Sequence, residues 1–347
     1  MKLLLATNLL FLTTLGQGKG QKEANCVTGR IDFAKERTFL FNDDVPKSFV
    51  GKTLNESLYD SVVDFGNSNI RFRPEGGVSL ELVKGTNATA KGIQLSTLRY
   101  VQYAKITVKM TAIAVPGVVT SFITLSETGD EIDFEIAGFN SSQVLSNVFS
   151  NGIGEFGIHG GNHKVNTPIS ESHIYTIDWK SDVITWLIDG KSVREHRKNG
   201  PEANSLADKQ RGRPWYPTSP SLVQLSVKDG QGAKWTGGQI PWTKDMASTS
   251  INVEYLDIQC YNDLNIEVPR WPITKSNSSP IKATSTALVS STSSAAASQP
   301  TSQLNFKGIS NYPIDPSRAD LSESPSSGSI SNGIFNAMMI ILLLYLN

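Results

Sequence analysis

Short stretches in which apolar and polar residues alternate, or in which β-branched residues run together, recur at residues 77–83, 103–114, 118–125, 174–179, 184–188, 221–227 and 251–261. Glycine, proline and asparagine punctuate them, as chain reversal requires. A side-chain period of two sends alternate residues to opposite faces, so each stretch predicts a strand with a face to bury. Ile184-Thr185-Trp186-Leu187-Ile188 runs into Asp189-Gly190, a pair suited to positive φ, which predicts a tight hairpin. No apolar pattern of period 3.6 is long enough to demand a major helix; residues 201–209 could hold a short one. There is no internal repeat at solenoid or propeller spacing. The pattern therefore predicts an all-β chain folded as a two-sheet sandwich.

Both ends break this pattern. Met1 and Lys2 precede an apolar run to Leu15 and then small and polar residues, which predicts a secretory signal peptide over residues 1–20. A second apolar run, residues 334–346, follows the small residues Ser326, Ser327, Gly328, Ser329 and Ser331. That layout predicts a GPI-attachment propeptide over residues 328–347. A tail-anchored span is the competing reading, for which about 13 apolar residues are short. Between them, residues 276–327 contain 20 Ser or Thr in 52, a composition that builds no core and suits an O-glycosylated stalk. Residues 21–275 remain as one folded domain. The expected location is secreted, anchored through a GPI lipid to the plasma membrane or cell wall of a eukaryote. Sequons at Asn55, Asn87, Asn140 and Asn277 fit the same route as N-glycosylation candidates.

Charge narrows the partners. Lys and Arg number 32 against 32 Asp and Glu. A chain without basic excess is a poor nucleic-acid binder, because phosphate neutralisation needs clustered cations. The loosely basic stretch of Lys191, Arg194, Arg197, Lys198, Lys209, Arg211 and Arg213 reads as solvated surface or as contact with acidic wall material. The two cysteines exclude a disulfide-dense scaffold and a multi-cysteine zinc module. In an oxidising exterior Cys26 and Cys260 are expected to pair, stapling the ends of the domain and restricting the unfolded chain by about 4–5 kcal/mol in the loop-entropy model. Two unpaired buried thiols are the alternative. His159 and His163 are four apart, but Gly160-Gly161 between them opposes a helix and no ligand set is complete, so no metal and no cofactor is expected.

The densest chemistry lies in Gly129-Asp130-Glu131-Ile132-Asp133-Phe134-Glu135. On a strand Glu131, Asp133 and Glu135 share one face, and Ile132, Phe134 and Ile136 the other. Three aligned carboxylates repel one another, which stability disfavours. Glycosidic-bond cleavage needs such groups. A retaining glycosidase pairs a carboxylate nucleophile with a carboxylic acid, their carboxyls about 5–5.5 Å apart. Residues four apart on a flat strand have Cα atoms about 13 Å apart, so the side chains must converge across a curved sheet. The middle carboxyl can hydrogen-bond the nucleophile and hold a neighbour's pKa up. An exposed edge strand with solvated charges is the rival reading. A helix, opposed by Gly129, Gly138 and Phe134, and a calcium loop, whose spacing differs, are weaker.

This segment resembles the E-[IL]-D-x-E motif of glycoside hydrolase family 16 and, more narrowly, the D-E-I-D-x-E of the fungal Crh-type chitin–glucan transglycosylases. The likeness continues through Ser146-Asn147-Val148-Phe149 with Gly152, His173 to Trp179, Ile184-Thr185-Trp186 with Asp189-Gly190-Lys191 and Arg194, Tyr216 to Pro220 with Gln224-Leu225-Ser226, and Lys234 to Gly238. The resemblance implies a concanavalin-like β-jelly-roll sandwich with a cleft on the concave face of one sheet. It also implies Glu131 as nucleophile, Glu135 as acid/base and Asp133 as assisting carboxylate. Its substrates would be cell-wall polysaccharides, a chitin donor and a β-glucan acceptor, handled by a monomer without nucleotide. Two departures stand out. Ile136-Ala137-Gly138 follows the motif where an aromatic is common, and Val227-Lys228 stands where Leu-Trp often follows the Q-L-S strand.

Other residues admit two roles. Trp215, Tyr216 and Trp235 could stack on sugar faces or bury as ordinary aromatics. Trp179 and Trp186 read as core. Asn147 could bond a bound sugar or satisfy backbone near a turn. The expected function is an extracellular retaining transglycosylase joining chitin to β-glucan. A β-glucan or chitin hydrolase of the same fold and a non-catalytic, lectin-like wall mannoprotein are the alternatives.

Overall fold

Two stacked β-sheets account for almost all the regular structure in the computed structural model, which describes residues 23–40, 54–86, 90–154, 158–204 and 214–272. The eight-stranded sheet runs from edge to edge through Gly160–Lys164, Gln143–Phe149, Glu131–Ala137, Val118–Ser126, Ser221–Asp229, Ile93–Thr97, Ser61–Phe65 and Thr38–Phe39. Its neighbours are antiparallel except for the last pair. The ten-stranded sheet is built on Lys191–Arg197, Val183–Ile188, His173–Trp179, Ala104–Met110, Ser248–Tyr261, Val78–Lys84 and Ile70–Phe72, with three short strands attached. No α-helix occurs among the described residues, only 3₁₀ turns at Lys35–Arg37, Asn67–Asn69 and Lys234–Thr236. The fold is a β-jelly-roll sandwich.

The core forms where the apolar faces meet. Ile132, Phe134 and Ile136 from one sheet are fully buried against Tyr175, Ile177, Trp179 and Trp186 from the other. Phe134 lies 6.2 Å from Phe122 and 5.5 Å from Tyr175, ring centroid to centroid. Such ring pairs add about 0.5–1.5 kcal/mol to the area they bury. Trp179 and Trp186 are core residues, as the alternation predicts. The predicted hairpin also forms, at exposed Asp189-Gly190, where φ is 50° and 76°, values that disfavour most side chains.

The seven predicted strands all form, with shifted ends. Residues 103–114 pair only over Ala104–Met110, because Ala112 leaves the ladder to bond Ile169. The short helix expected at 201–209 is absent where it can be seen: residues 201–204 are turns, and 205–209 lie outside the described residues. The predicted signal peptide, stalk and attachment propeptide, with Asn87 and Asn277, also lie outside them. Cys26 and Cys260 are bonded to each other, Cα atoms 6.0 Å apart, across a sequence separation of 234. The bond ties the first short strand, Cys26–Val27, to the end of Ser248–Tyr261.

Candidate active site

Glu131–Ala137 is an interior strand, hydrogen-bonded to Val118–Ser126 on one side and Gln143–Phe149 on the other. This removes the reading of a solvated edge, and the helix with it. With Ile132, Phe134 and Ile136 committed to the core, pleating turns Glu131, Asp133 and Glu135 together to the opposite face. Glu131 and Asp133 are buried there and Glu135 is half-buried. The turn into this strand allows no side chain at Gly129: φ is +85°, and a Cβ would sit 2.5 Å from the Gly152 nitrogen. Asp130 pins the entry. One carboxylate oxygen accepts the Asn151 N–H at 2.8 Å, and the other accepts those of Thr218 and Ser219 at 2.9 and 3.0 Å. One acidic side chain thus joins three loops at the start of the carboxylate row.

Asn147, directly across the ladder from Asp133, donates both its backbone N–H (2.8 Å) and its side-chain amide (3.1 Å) to Asp133 Oδ1. It lies in mid-strand, not near a turn, on the carboxylate face, and its side-chain N–H serves a carboxylate. The next strand makes room, since a Cβ on Gly160 would meet the Asn147 side-chain oxygen, Oδ1, at 2.8 Å. From the other sheet, the Trp186 indole donates to the Asp133 carbonyl oxygen at 2.9 Å. Arg194 stacks on the Trp186 ring at 4.7 Å and donates to Ser146, while pairing with Glu202. Its side chain is only 8% exposed, so the expectation of a solvated basic stretch fails at this residue. Lys191 and Arg197 are exposed, whereas Lys209, Arg211 and Arg213 lie outside the described residues.

The electrostatics follow from dehydration. Burial pushes the carboxyls of Glu131 and Asp133 well above their ordinary range and that of Glu135 above it. Mutual repulsion adds to this at Glu131 and Asp133, while the Asn147 bonds and the Arg194 charge pull Asp133 back. The row takes up protons more readily than free carboxyls do, so acid and carboxylate forms can share it. Glu131 Oε2 and Asp133 Oδ2 are buried with no hydrogen-bond partner in the protein, as are the amide oxygens of Gln94 and Gln224 on the same face.

Sequence reasoning passed over two groups here. Lys228, noted only as a departure, shares the carboxylate face and is held near Glu135 and Glu131. Asp64 accepts hydrogen bonds from Gln94 (3.0 Å) and Ser96 on that face, and burial raises its pKa to about 6. The pattern Ser-Val-Val-Asp-Phe at 61–65 offered a signal, one acid in an apolar stretch, but nothing there said which strand it would neighbour.

Two aromatic expectations are corrected. Trp215 and Tyr216 do not line an open face: both are buried in the core, at 0% and 3% exposure. Trp215 stacks on His159 at 4.2 Å and donates to the Val148 carbonyl; the Tyr216 hydroxyl donates to that of Lys180. Amphipathic rings bury well once their polar atom finds a partner. Trp235 is half-buried in the turn Lys234–Thr236. Asn55 is exposed and Asn140 half-buried, each with its side-chain oxygen engaged in a local turn. Among the described residues no group of three or more His, Cys, Asp or Glu could hold a metal ion.

Comparison with known proteins places this geometry. Crh-like protein 2 of Aspergillus fumigatus is 35% identical over 184 residues, 49% of this chain and 40% of the relative. Crh-like protein UTR2 of Candida albicans is 35% identical over 173 residues, 47% of this chain and 35% of the relative. The chain thus spans well under two thirds of the length of these relatives. The solved structure of the Crh5 transglycosylase in complex with NAG superposes with a TM-score of 0.53 at 25% identity, over 70% of this chain and 88% of that one. The profile of the glycosyl hydrolases family 16 matches residues 59–244, a span that takes in the carboxylate row, Asn147 and Lys228. By that match, over more than half its length, the chain belongs to the glycosyl hydrolases family 16.

Proposed function

We propose that this chain is an extracellular retaining transglycosylase that cleaves chitin and transfers the cleaved chain to β-glucan, cross-linking a fungal cell wall. One observation carries the reading: three carboxyls in a row on an interior strand, on the face turned from the core, where they cost stability and serve chemistry. Glu131 is the nucleophile, Glu135 the acid/base and Asp133 the assisting carboxyl. Protonated Glu135 gives its proton to the leaving sugar oxygen while ionised Glu131 attacks the anomeric carbon, forming a covalent glycosyl-enzyme. Glu135, now a carboxylate, takes the proton from an acceptor hydroxyl, which attacks the same carbon and releases Glu131. A sugar acceptor joins two polysaccharides; water only cuts the donor. Half-burial of Glu135 suits its two proton transfers, and the deeper burial of Glu131 suits an ester that must wait for the right acceptor. Relatives with Crh names and a solved transglycosylase holding NAG, the sugar unit of chitin, support the choice of donor.

The proposed setting is the cell wall or the plasma membrane, through a GPI anchor. Trp235 remains the proposed aromatic platform for sugar. The test is incubation of the secreted protein with a chitin oligosaccharide donor and a fluorescent β-glucan acceptor. Labelled product of higher mass is expected, and Glu131→Gln should abolish it. Shortened donor without labelled product would establish a hydrolase instead, and no change in either substrate would leave a non-catalytic sugar-binding protein.

A further inference from the structure

Lys228 stands near the end of Ser221–Asp229, and Val227 before it is fully buried in the core, so pleating turns Lys228 to the carboxylate face. Ser226 is aligned with Ser121, and Ser121 with Glu135, which puts Lys228 two strands from Glu135 and one row further along. With strands about 4.8 Å apart and about 3.4 Å per residue, the two Cα atoms lie about 12 Å apart, a diagonal that the lysine and glutamate side chains close by reaching toward each other. On its other flank Ser226 is aligned with Gln94, which together with Ser96 donates to Asp64. The ammonium therefore has Glu135 on one side, with Glu131 four residues further along the same row, and Asp64 on the other. Val118–Ser126 and Ile93–Thr97, packed between them, bring no charged side chain; Asp133 completes the row, with Arg194 acting on it from the far sheet.

We propose that Lys228 is a positioning residue for the reaction: held between the Glu131–Glu135 pair and Asp64, its ammonium sets the pH range in which the nucleophile is ionised and the acid protonated, and Asp64 moderates it. The proposal rests on Glu131 and Glu135 being the reacting pair. A face this dry favours protonated carboxyls, and a protonated Glu131 cannot attack. Lys228 opposes burial at both residues, since a positive charge favours the ionised form. Asp64, raised to about 6, is neutral below that pH and leaves Lys228 to the catalytic pair; above it, Asp64 ionises and takes a share of the cation.

The signs can be checked by measuring kcat/KM against pH for transfer from a chitin oligosaccharide, with thermal midpoints recorded alongside. In Lys228→Met both limbs of the bell should move to higher pH by about one unit or more, because Glu131 and Glu135 each lose a stabilising cation. Lys228→Arg should keep the limbs in place. Asp64→Asn should move the alkaline limb to lower pH and leave any limb below about pH 6 unmoved, because Asp64 is uncharged there. A Lys228→Met enzyme that loses activity with both limbs unmoved would overturn the proposal. Should that variant fail to fold, an alkaline limb above about pH 6 that stays unmoved in Asp64→Asn would do the same. Carbon-13 NMR titration of the Glu131 and Glu135 carboxyls in wild type and Lys228→Met needs no turnover. If no donor is processed, the functional reading fails, while the titration still decides the role of the lysine.

Discussion

The two sheets each present a face away from the core, and the faces treat charge in opposite ways. On the ten-stranded sheet, Lys109 meets Glu254 at 2.7 Å, Arg71 meets Glu81 at 3.2 Å and Arg30 meets Asp257 at 3.2 Å. Every pair has opposite signs, and at least one member of each is open to water. Such pairs contribute little to stability. On the eight-stranded sheet Glu131, Asp133, Glu135 and Asp64 are four acids, three of them acting on one lysine; they are largely dehydrated, and two of them have a carboxylate oxygen without a partner in the protein. A sandwich needs its apolar faces and its ladders; it does not need this. The difference separates charge that faces water in opposite-sign pairs from like charge held dehydrated at a cost to stability, which the proposed reaction would explain.

Substitutions can break that contrast, and the largest effect is expected at the row itself. Glu135→Gln should lower transfer by about 10²–10⁴-fold, and Glu131→Gln by at least as much, with the thermal midpoint held or raised because one like charge has gone. A loss of activity accompanied by unfolding would contradict the second half. Removing Cys26 and Cys260 together, as serines, should cost about 2–5 kcal/mol in denaturant unfolding, because the loop they close is long. Asp64→Asn tests the cost of dehydrated charge through linkage. The folded pKa of Asp64 is raised from 3.8 to about 6, so its contribution is neutral below the unfolded value and increasingly unfavourable as pH climbs through 6. The variant should match wild type near pH 4 and exceed it by up to about 3 kcal/mol at pH 8. Asn147→Ala removes one of two donors to Asp133 and should cost about 1–3 kcal/mol. Lys109→Ala, on the other sheet, should leave the melting curve where it was. A large loss there would erase the distinction between the two faces.

Much of this was legible one strand at a time. The period of two in 118–125, 174–179 and 221–227 announced strands, and the same period inside 131–135 put three acids on one side. Local rules suffice because pleating is a property of the single chain. The roles of Trp215 and Tyr216 were not legible, because an aromatic beside proline looks the same whether its ring faces sugar or core. Arg194 misled for a similar reason. Its charge suggested solvent, but a guanidinium can stack on Trp186, bond Ser146 and pair with Glu202 while nearly covered. Asp64 and Lys228 lie 164 positions apart along the chain, and only the strand order Ser61–Phe65, Ile93–Thr97, Ser221–Asp229 brings them to one site.

By itself, then, the sequence determined an all-β chain, a carboxylate row and a disulfide-capable pair of cysteines near the ends of the folded domain. Those depend on side-chain chemistry and on periodicities read within a few residues. The tertiary structure decided which faces are dry, which acids share a cation and which aromatics are buried. Those depend on strand order and on exclusion of water, and both exist only after distant segments have paired.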